Sequence, residues 1–238
     1  MIDLKKGNCL ELMKTIESGS IDAIITDPPY GTTACKWDSV IDFDLMWEQL
    51  NRIIKPNGAI VLFGSEPFSS ALRMSNIKNY KYDWIWNKNR ISNPALAKKQ
   101  PLRHSENVMI FNSKIYNPQG LKPCTKVLGG NKSGSKGLST CVKKQNYKQT
   151  VTNYPRHILN IKADNYGKNC FHPTQKPVEL MEYLIKTYTN EGETVLDFTM
   201  GSGSTGVAAK NLDRNFIGIE QDEKYFDIAQ DRINSTLF

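Results

Sequence analysis

The chain has 238 residues, 39% of them hydrophobic, with a net charge of +7 and five cysteines far apart in sequence. That apolar content suits one domain with an insertion or two small ones, and the cysteine spacing excludes a disulfide framework or a C-x-x-C zinc site, so Cys9, Cys35, Cys124, Cys141 and Cys170 read as free thiols. No apolar run approaches the ~18 residues of a membrane span and no charged-then-apolar leader opens the chain, so a soluble cytoplasmic protein is expected.

The opening "MIDLKKGNCLELMKTI" predicts a short strand, a Gly-Asn turn and a helix. "SIDAIITDPPY" predicts a strand with a continuous apolar centre that ends at Asp27. "LMWEQLNRIIKPNG" has apolar residues at helical spacing and predicts a helix leaving through Pro56-Asn57-Gly58. "AIVLFGS", "YKYDWIWNK" and "ENVMIF" predict three more strands. From Asn112 to about Tyr154 the chain is rich in Gly, Ser, Asn and Lys without a period, and predicts an irregular, partly mobile insertion. In "HPTQKPVELMEYLIKTYT", Pro177 suits the first turn of a helix whose apolar face is Val178, Met181, Leu184 and Ile185. "ETVLDFTMGSGSTGVAAKNL" predicts strand, glycine turn and helix; "NFIGIE" another strand; "EKYFDIAQDRI" a closing helix. Apolar strands alternating with helices imply a buried, doubly wound parallel sheet.

Charge is unevenly spread. Between Trp84 and Ala163 there are fifteen Lys or Arg against a single acid, Glu106, whereas the remainder holds 16 basic and 23 acidic residues. The segment is either a solvated basic loop or a phosphate-contacting surface.

Two stretches carry chemistry. In "VLDFTMGSGSTG" an acid closes a strand, and Gly201 and Gly203 form a tight turn into a helix. Such a turn lets backbone approach a ligand and presents free N–H groups. Glu220 ends the next strand, about 20 residues on, where an acid commonly takes ribose hydroxyls. The turn has neither the usual G-x-G-x-x-G register nor the G-K-[ST] ending of a P-loop, and Asp197 within it opposes a pyrophosphate. A ligand with a cationic or amino group and a ribose suits it, and S-adenosylmethionine has that character. The second stretch is "IITDPPYG" (residues 24–31), where two prolines surrender two donors and fix two φ angles between an acid and a ring.

Asp27-Pro28-Pro29-Tyr30 together with Asp197-Phe198-x-x-Gly201-x-Gly203 resembles the amino-methyltransferases of DNA, which modify the exocyclic amine of adenine or cytosine. "HPTQKPVELMEYLI", "GNCLEL" and "RHSENVMIF" extend the likeness over nearly all the chain except the basic segment. Catalytic motif first, basic insertion second and cofactor turn last is the order of the β group, a circular permutation of one sheet. The resemblance implies a Rossmann-like class I methyltransferase fold, mostly parallel with one reversed strand. It divides the chain into a catalytic half (1–111), a target-recognition insertion (112–160) and a cofactor half (161–238). It implies S-adenosylmethionine held by Asn8, Cys9, Asp27, His172, Thr174, Lys176, Asp197, Phe198, Gly201, Ser202, Gly203 and Glu220, with Asp27, Pro28, Pro29 and Tyr30 catalytic. The family often has Gly-Asp where this chain has Gly7-Asn8.

The weak partner in such a reaction is the amine, whose lone pair is delocalised into the ring. Asp27 and the Pro28 carbonyl are placed to accept its two N–H groups and turn the lone pair outward, with proline stiffness fixing the carbonyl. Tyr30 is expected to stack on a base extruded from the duplex, and Trp37 is a further candidate for that base. No metal is expected, since His104, His157 and His172 form no ligand pattern; the first two read as structural, the third as cofactor support. Double-stranded DNA is expected to meet Lys88, Arg90, Lys98, Lys99, Arg103, Lys122, Lys126, Lys132, Lys136, Lys143, Lys144 and Lys148, with steep salt dependence. Aspartate heading the catalytic motif favours adenine N6. Cytosine N4, an RNA or protein methyltransferase, and a binding protein with a decayed site are the other readings. The resemblance leaves homodimerisation and a separate restriction endonuclease open, in a bacterial or phage-infected cell.

Overall fold

In the computed structural model, described here for residues 1–32, 38–128, 147–164 and 171–235, the apolar runs form one sheet with helices on both faces. In chain order the elements are β1 (Ile2–Lys6), α1 (Cys9–Met13), β2 (Ile21–Thr26), α2 (Phe43–Ile53), β3 (Ile54–Gly64), α3 (Phe68–Ser75), β4 (Tyr80–Asn87), β5 (Ser105–Phe111), β6 (Lys122–Leu128), β7 (Tyr147–Thr152), β8 (Ile158–Asn160), α4 (Val178–Tyr188), β9 (Thr194–Asp197), α5 (Ser204–Asn211), β10 (Asn215–Glu220) and α6 (Glu223–Ser235).

The sheet has eight strands in the order β1-β10-β9-β2-β3-β5-β4-β8. β5 is antiparallel to both its neighbours and every other pairing is parallel, so among the described residues one strand is reversed. Crossovers diverge between β9 and β2, one running outward to β10 and the other to β3. Such a switch point opens a crevice at the carboxyl ends of the strands. Asp27, Asp197 and Glu220 all stand at that edge, and reversal of β5 brings its amino-terminal Glu106 there as well.

β2 is buried along its whole length, as a doubly covered strand must be. Ala23 and Ile25 pack in one cluster with Leu180, Leu184 and Ile185 of α4 and Ala208 of α5. Ile24 packs in the other with Met13 of α1 and Met46, Leu50 and Ile53 of α2. Removing each Leu or Ile from water contributes roughly 1.5–3 kcal/mol, so the strand ends that carry the site rest on a filled core.

Three local expectations change. α2 stops at Ile53 and the chain enters β3 directly, so Pro56-Asn57-Gly58 lies inside a strand rather than forming a helix exit. The residue before proline disfavours the α region, which extends Lys55, and its ammonium pairs with Asp22 at 2.7 Å. The register moves from Ile21–Ile54 to Ala23–Ala59, so the intervening residues of β3 form an irregularity. Pro177 sits before the first turn of α4, in extended conformation with ψ 137°, and the helix begins at Val178. The basic insertion contains an antiparallel ribbon, β6 with β7, where no regular structure was expected. Residues 118–156 form a compact unit of their own, and residues 1–117 and 157–238 form the other. Trp37, Lys132, Lys136, Lys143 and Lys144 lie outside the described residues.

Candidate active site

The loop after β2 owes its form to an accounting of donors. Pro28 and Pro29 have no N–H to place. The next three N–H groups all go to Asp38: Tyr30 N and Gly31 N donate to Oδ1 at 2.8 and 2.9 Å, and Thr32 N to Oδ2 at 2.9 Å. The Asp27 carbonyl accepts from the Thr199 hydroxyl at 3.1 Å. Asp38 is itself buried, so one carboxylate pins the loop as a rigid arch with no free backbone N–H from residue 28 to 32. The Tyr30 hydroxyl donates to Asp27 Oδ1 at 2.5 Å, and its ring stacks on Phe68 with centroids 4.9 Å apart and planes at 27°.

Asp27 lies in a chain of alternating charges. Lys176 Nζ contacts Asp27 Oδ2 and stands 3.4 Å from Glu106 Oε2; Lys88 Nζ donates to Glu106 Oε1 at 2.8 Å. Lys176 is buried, and the Glu106 and Lys88 side chains are 14% and 13% exposed. Two carboxylates and two ammoniums leave the group formally neutral, without which burial of these charges would be costly. Burial pushes the Asp27 carboxyl above the usual range, against the pull of Lys176. Burial also works to raise Glu106, but the Lys176 and Lys88 ammoniums outweigh it and hold it below the usual range. Burial opposes the charge on Lys176, yet Asp27 and Glu106 keep its ammonium more firmly protonated than a free lysine.

The glycine turn is built around Asp197. Thr26 and Thr205 hydroxyls donate to its carboxylate at 2.5 and 2.6 Å, and Thr199 N at 3.2 Å. Burial lifts this carboxyl to about 6, against those donors. Gly201 and Gly203 adopt φ of 50° and 80°, which glycine takes without strain. A Cβ on Gly203 would also stand 3.0 Å from Ala229 Cβ of α6. Glu220 Oε2 accepts from Gly201 N and Oε1 from Asp222 N, both at 2.9 Å, which fastens the turn to the end of β10. Each oxygen retains a second lone pair for a ligand. Asn8 Oδ1 caps α1, accepting from Leu10 N at 2.9 Å. Beside it, burial raises the Cys9 thiol to about 11.

Residues 172–176 close the cavity from the side of α4. His172 Nδ1 accepts from Thr174 N at 3.2 Å and faces the Thr174 hydroxyl at 3.0 Å. Its ring packs edge-on against Tyr225 with centroids 4.2 Å apart. Burial, then the charge of Lys176, lowers its pKa to about 4, so it is neutral at pH 7. The Ser202 hydroxyl donates to Gln175 Oε1 at 3.2 Å.

These groups enclose a cavity of about 550 Å³ reaching from Asn8 and Glu220, past Asp197 and His172, to Asp27 and Tyr30. That volume lies in the range of small-molecule sites. Phe198, Gly201, Ser202, Thr174 and Lys176 line it as well. The Ser204 hydroxyl, also in the wall and at the start of α5, is buried without a partner. Acids at two strand ends, an orphan hydroxyl and a glycine turn fit a nucleoside that carries a charged amino-acid tail.

The DNA methylase family model for N6 and N4 methyltransferases matches residues 21–231. The chain belongs to this family. The Type II methyltransferase M.HinfI of Haemophilus influenzae is 30% identical over 96% of this chain and 67% of its own. M.HpaI of Haemophilus parainfluenzae is also 30% identical, over 96% of this chain and 73% of its own. The M1.HpyAVI–SAM complex is 29% identical with a TM-score of 0.67, covering 98% of this chain and 100% of that one. PvuII DNA methyltransferase, cytosine-N4-specific, shares the fold at 17% identity and a TM-score of 0.71, over 100% of this chain and 88% of its own.

Within this methylase the residues expected at DNA fall into different surroundings. Lys98 and Lys99 are exposed. Arg103 is exposed but donates to the Ser65 hydroxyl at 2.7 Å, and Arg90 is half-buried. Lys88, expected at a phosphate, instead pairs with Glu106 inside the charge chain. Lys122 and Lys148 are exposed on the ribbon of the second unit, and Lys126 follows in the same ribbon. Lys176, expected beside the cofactor, lies against the Asp27 carboxylate. Sequence reasoning missed Asp38, Glu106 and Phe68. Only Glu106 left a signal, as the single acid in the basic middle of the chain.

Proposed function

We propose that this methylase transfers a methyl group from S-adenosylmethionine to the exocyclic N6 amine of adenine in double-stranded DNA. The observation that carries this reading is the donor accounting around Asp27: the loop offers acceptors and no free N–H. An exocyclic amine has two N–H groups to place, and Asp27 with the Pro28 carbonyl supplies two acceptors. Aspartate at the head of the motif favours adenine. Proline geometry and the Asp38 clasp hold both acceptors in one orientation, so the lone pair of the amine is directed rather than averaged.

S-adenosylmethionine, when bound, supplies the methyl group on a sulfonium that needs no activation. Glu220 accepts from ribose hydroxyls, the Ser204 hydroxyl satisfies a polar group of the ligand, and neutral His172 and Thr174 support its tail beside Lys176. Asp197 holds the turn through Thr26 and Thr205. Tyr30 offers the ring face that Phe68 does not cover to the extruded base, a contact typically worth ~1–3 kcal/mol. Asp27 takes the first share of the positive charge that develops on the amine.

The test is incubation with labelled S-adenosylmethionine and unmethylated DNA, followed by digestion to nucleosides. Label in N6-methyldeoxyadenosine is expected. Label in N4-methyldeoxycytidine would replace adenine by cytosine, and label confined to RNA or protein would overturn the DNA reading.

A further inference from the structure

Each oxygen of the Asp27 carboxylate already holds one donor: Tyr30 takes Oδ1 and Lys176, with a full charge, takes Oδ2, which leaves one lone pair on each oxygen. An amine arriving at Asp27 therefore meets competition from an ammonium. Opposite stands Glu106, whose Oε1 is satisfied by Lys88 while its Oε2 is buried with no hydrogen-bond partner. That orphan acceptor is 3.4 Å from Lys176 Nζ. A shift of about 0.5 Å brings the ammonium within charge-assisted hydrogen-bond distance of Glu106 while it stays within reach of Asp27 Oδ2. The other groups around Nζ hold it only weakly: the Thr174 carbonyl accepts at 3.5 Å and the Phe63 ring centroid is 5.2 Å away.

We propose that Glu106 is a positioning residue for methyl transfer: it shares the Lys176 ammonium and so weakens the hold of that charge on Asp27 Oδ2 when the substrate amine arrives. Lys176 stands between the two carboxylates, against Asp27 and 3.4 Å from Glu106. Lys88 keeps Glu106 ionised and the group neutral. No covalent bond is made or broken; the hold of one ammonium is divided between two carboxylates. This rests on the assignment of Asp27 as the amine acceptor.

The experiment compares wild type, Glu106→Gln and Glu106→Asp, with unmethylated DNA and labelled S-adenosylmethionine in single turnover from pH 5.5 to 9, and cofactor affinity measured separately. Glu106→Gln removes the second carboxylate charge from beside the ammonium. Its transfer rate is expected to fall on the order of 100-fold, with cofactor affinity unchanged within about threefold and unfolding still cooperative. The acid limb of its rate profile is expected at lower pH, because loss of a neighbouring negative charge lets Asp27 stay ionised further down. Glu106→Asp keeps the charge and is expected to recover most of the rate and the original limb. A Glu106→Gln rate within threefold of wild type overturns the proposal. So does an equal loss in both variants with an unmoved limb, the pattern of a merely structural role. A second readout needs no turnover: the ¹⁵Nζ ammonium resonance of Lys176, assigned by its loss in Lys176→Met. It is expected to shift in Glu106→Gln without DNA or cofactor, and an unshifted signal refutes sharing of the ammonium. Wild type that fails to label DNA would sink the proposed function, while the resonance would still decide the Lys176–Glu106 contact.

Discussion

Lys176→Met tests the charge chain where it is most exposed to failure. The substitution keeps the apolar stem and deletes the ammonium, leaving Asp27 and Glu106 with side chains only 22% and 14% exposed. Removing one partner of a buried ion pair typically costs ~3–5 kcal/mol, because an uncompensated charge remains. Here Glu106 retains Lys88 at 2.8 Å and Asp27 retains the Tyr30 hydroxyl. The lower end, about 3 kcal/mol at pH 8, is therefore expected. The loss has a sign in pH. Burial already raises the Asp27 carboxyl, and Lys176 is the first force opposing it. Without Lys176 it rises further, so the folded state takes up a proton before the unfolded chain does. Stability then returns as pH falls through the folded pKa. Urea unfolding of wild type and variant at pH 8 and pH 5.5 measures this directly. A smaller penalty at pH 5.5 is expected; an equal penalty at both, or none at pH 8, refutes the reasoning.

Gly203→Ala forces a left-handed residue to carry a Cβ 3.0 Å from Ala229 Cβ; ~1–2 kcal/mol of backbone cost plus ~1–3 of overpacking should appear in urea midpoints, with weaker S-adenosylmethionine binding by titration calorimetry. Phe68→Leu keeps apolar volume but removes the ring 4.9 Å from Tyr30; single-turnover transfer is expected to fall by about tenfold, in keeping with the loss of a stacked pair, while cofactor affinity holds. His172, lowered to about 4, stays neutral in the fold while the unfolded chain protonates near 6.5. Wild type should lose up to about 3 kcal/mol between pH 6.5 and 4 on this account, and His172→Gln should lack that component in pH-dependent urea melts.

What could be read from the sequence was local. Asp27, Asp197 and Glu220 each end an apolar run, and Gly201 and Gly203 announce a turn by composition alone. Those residues sit together because parallel strands deliver their ends to one edge. The motif order also carried the single reversed strand, through the resemblance. What could not be read was who pairs with whom. Lys176 and Asp27 are 149 positions apart, and Glu106 reaches them only because β5 runs backwards. By sequence Lys88 is one more cation in a basic stretch, and only the fold sets it on Glu106. Asp38 follows the motif closely, but its three backbone donors depend on a loop conformation that no period announces. Pro56-Asn57-Gly58 departs from its sequence signal for the converse reason: a strong local turn signal yields to strand pairing with β2.

The measurement that bears most directly on the account is single-turnover formation of N6-methyldeoxyadenosine by Asp27→Ala beside wild type, with S-adenosylmethionine affinity determined on the same samples. The expected result is affinity within a few-fold and a rate lower by at least about 100-fold. Near-normal turnover by Asp27→Ala would contradict the central role given to that carboxylate.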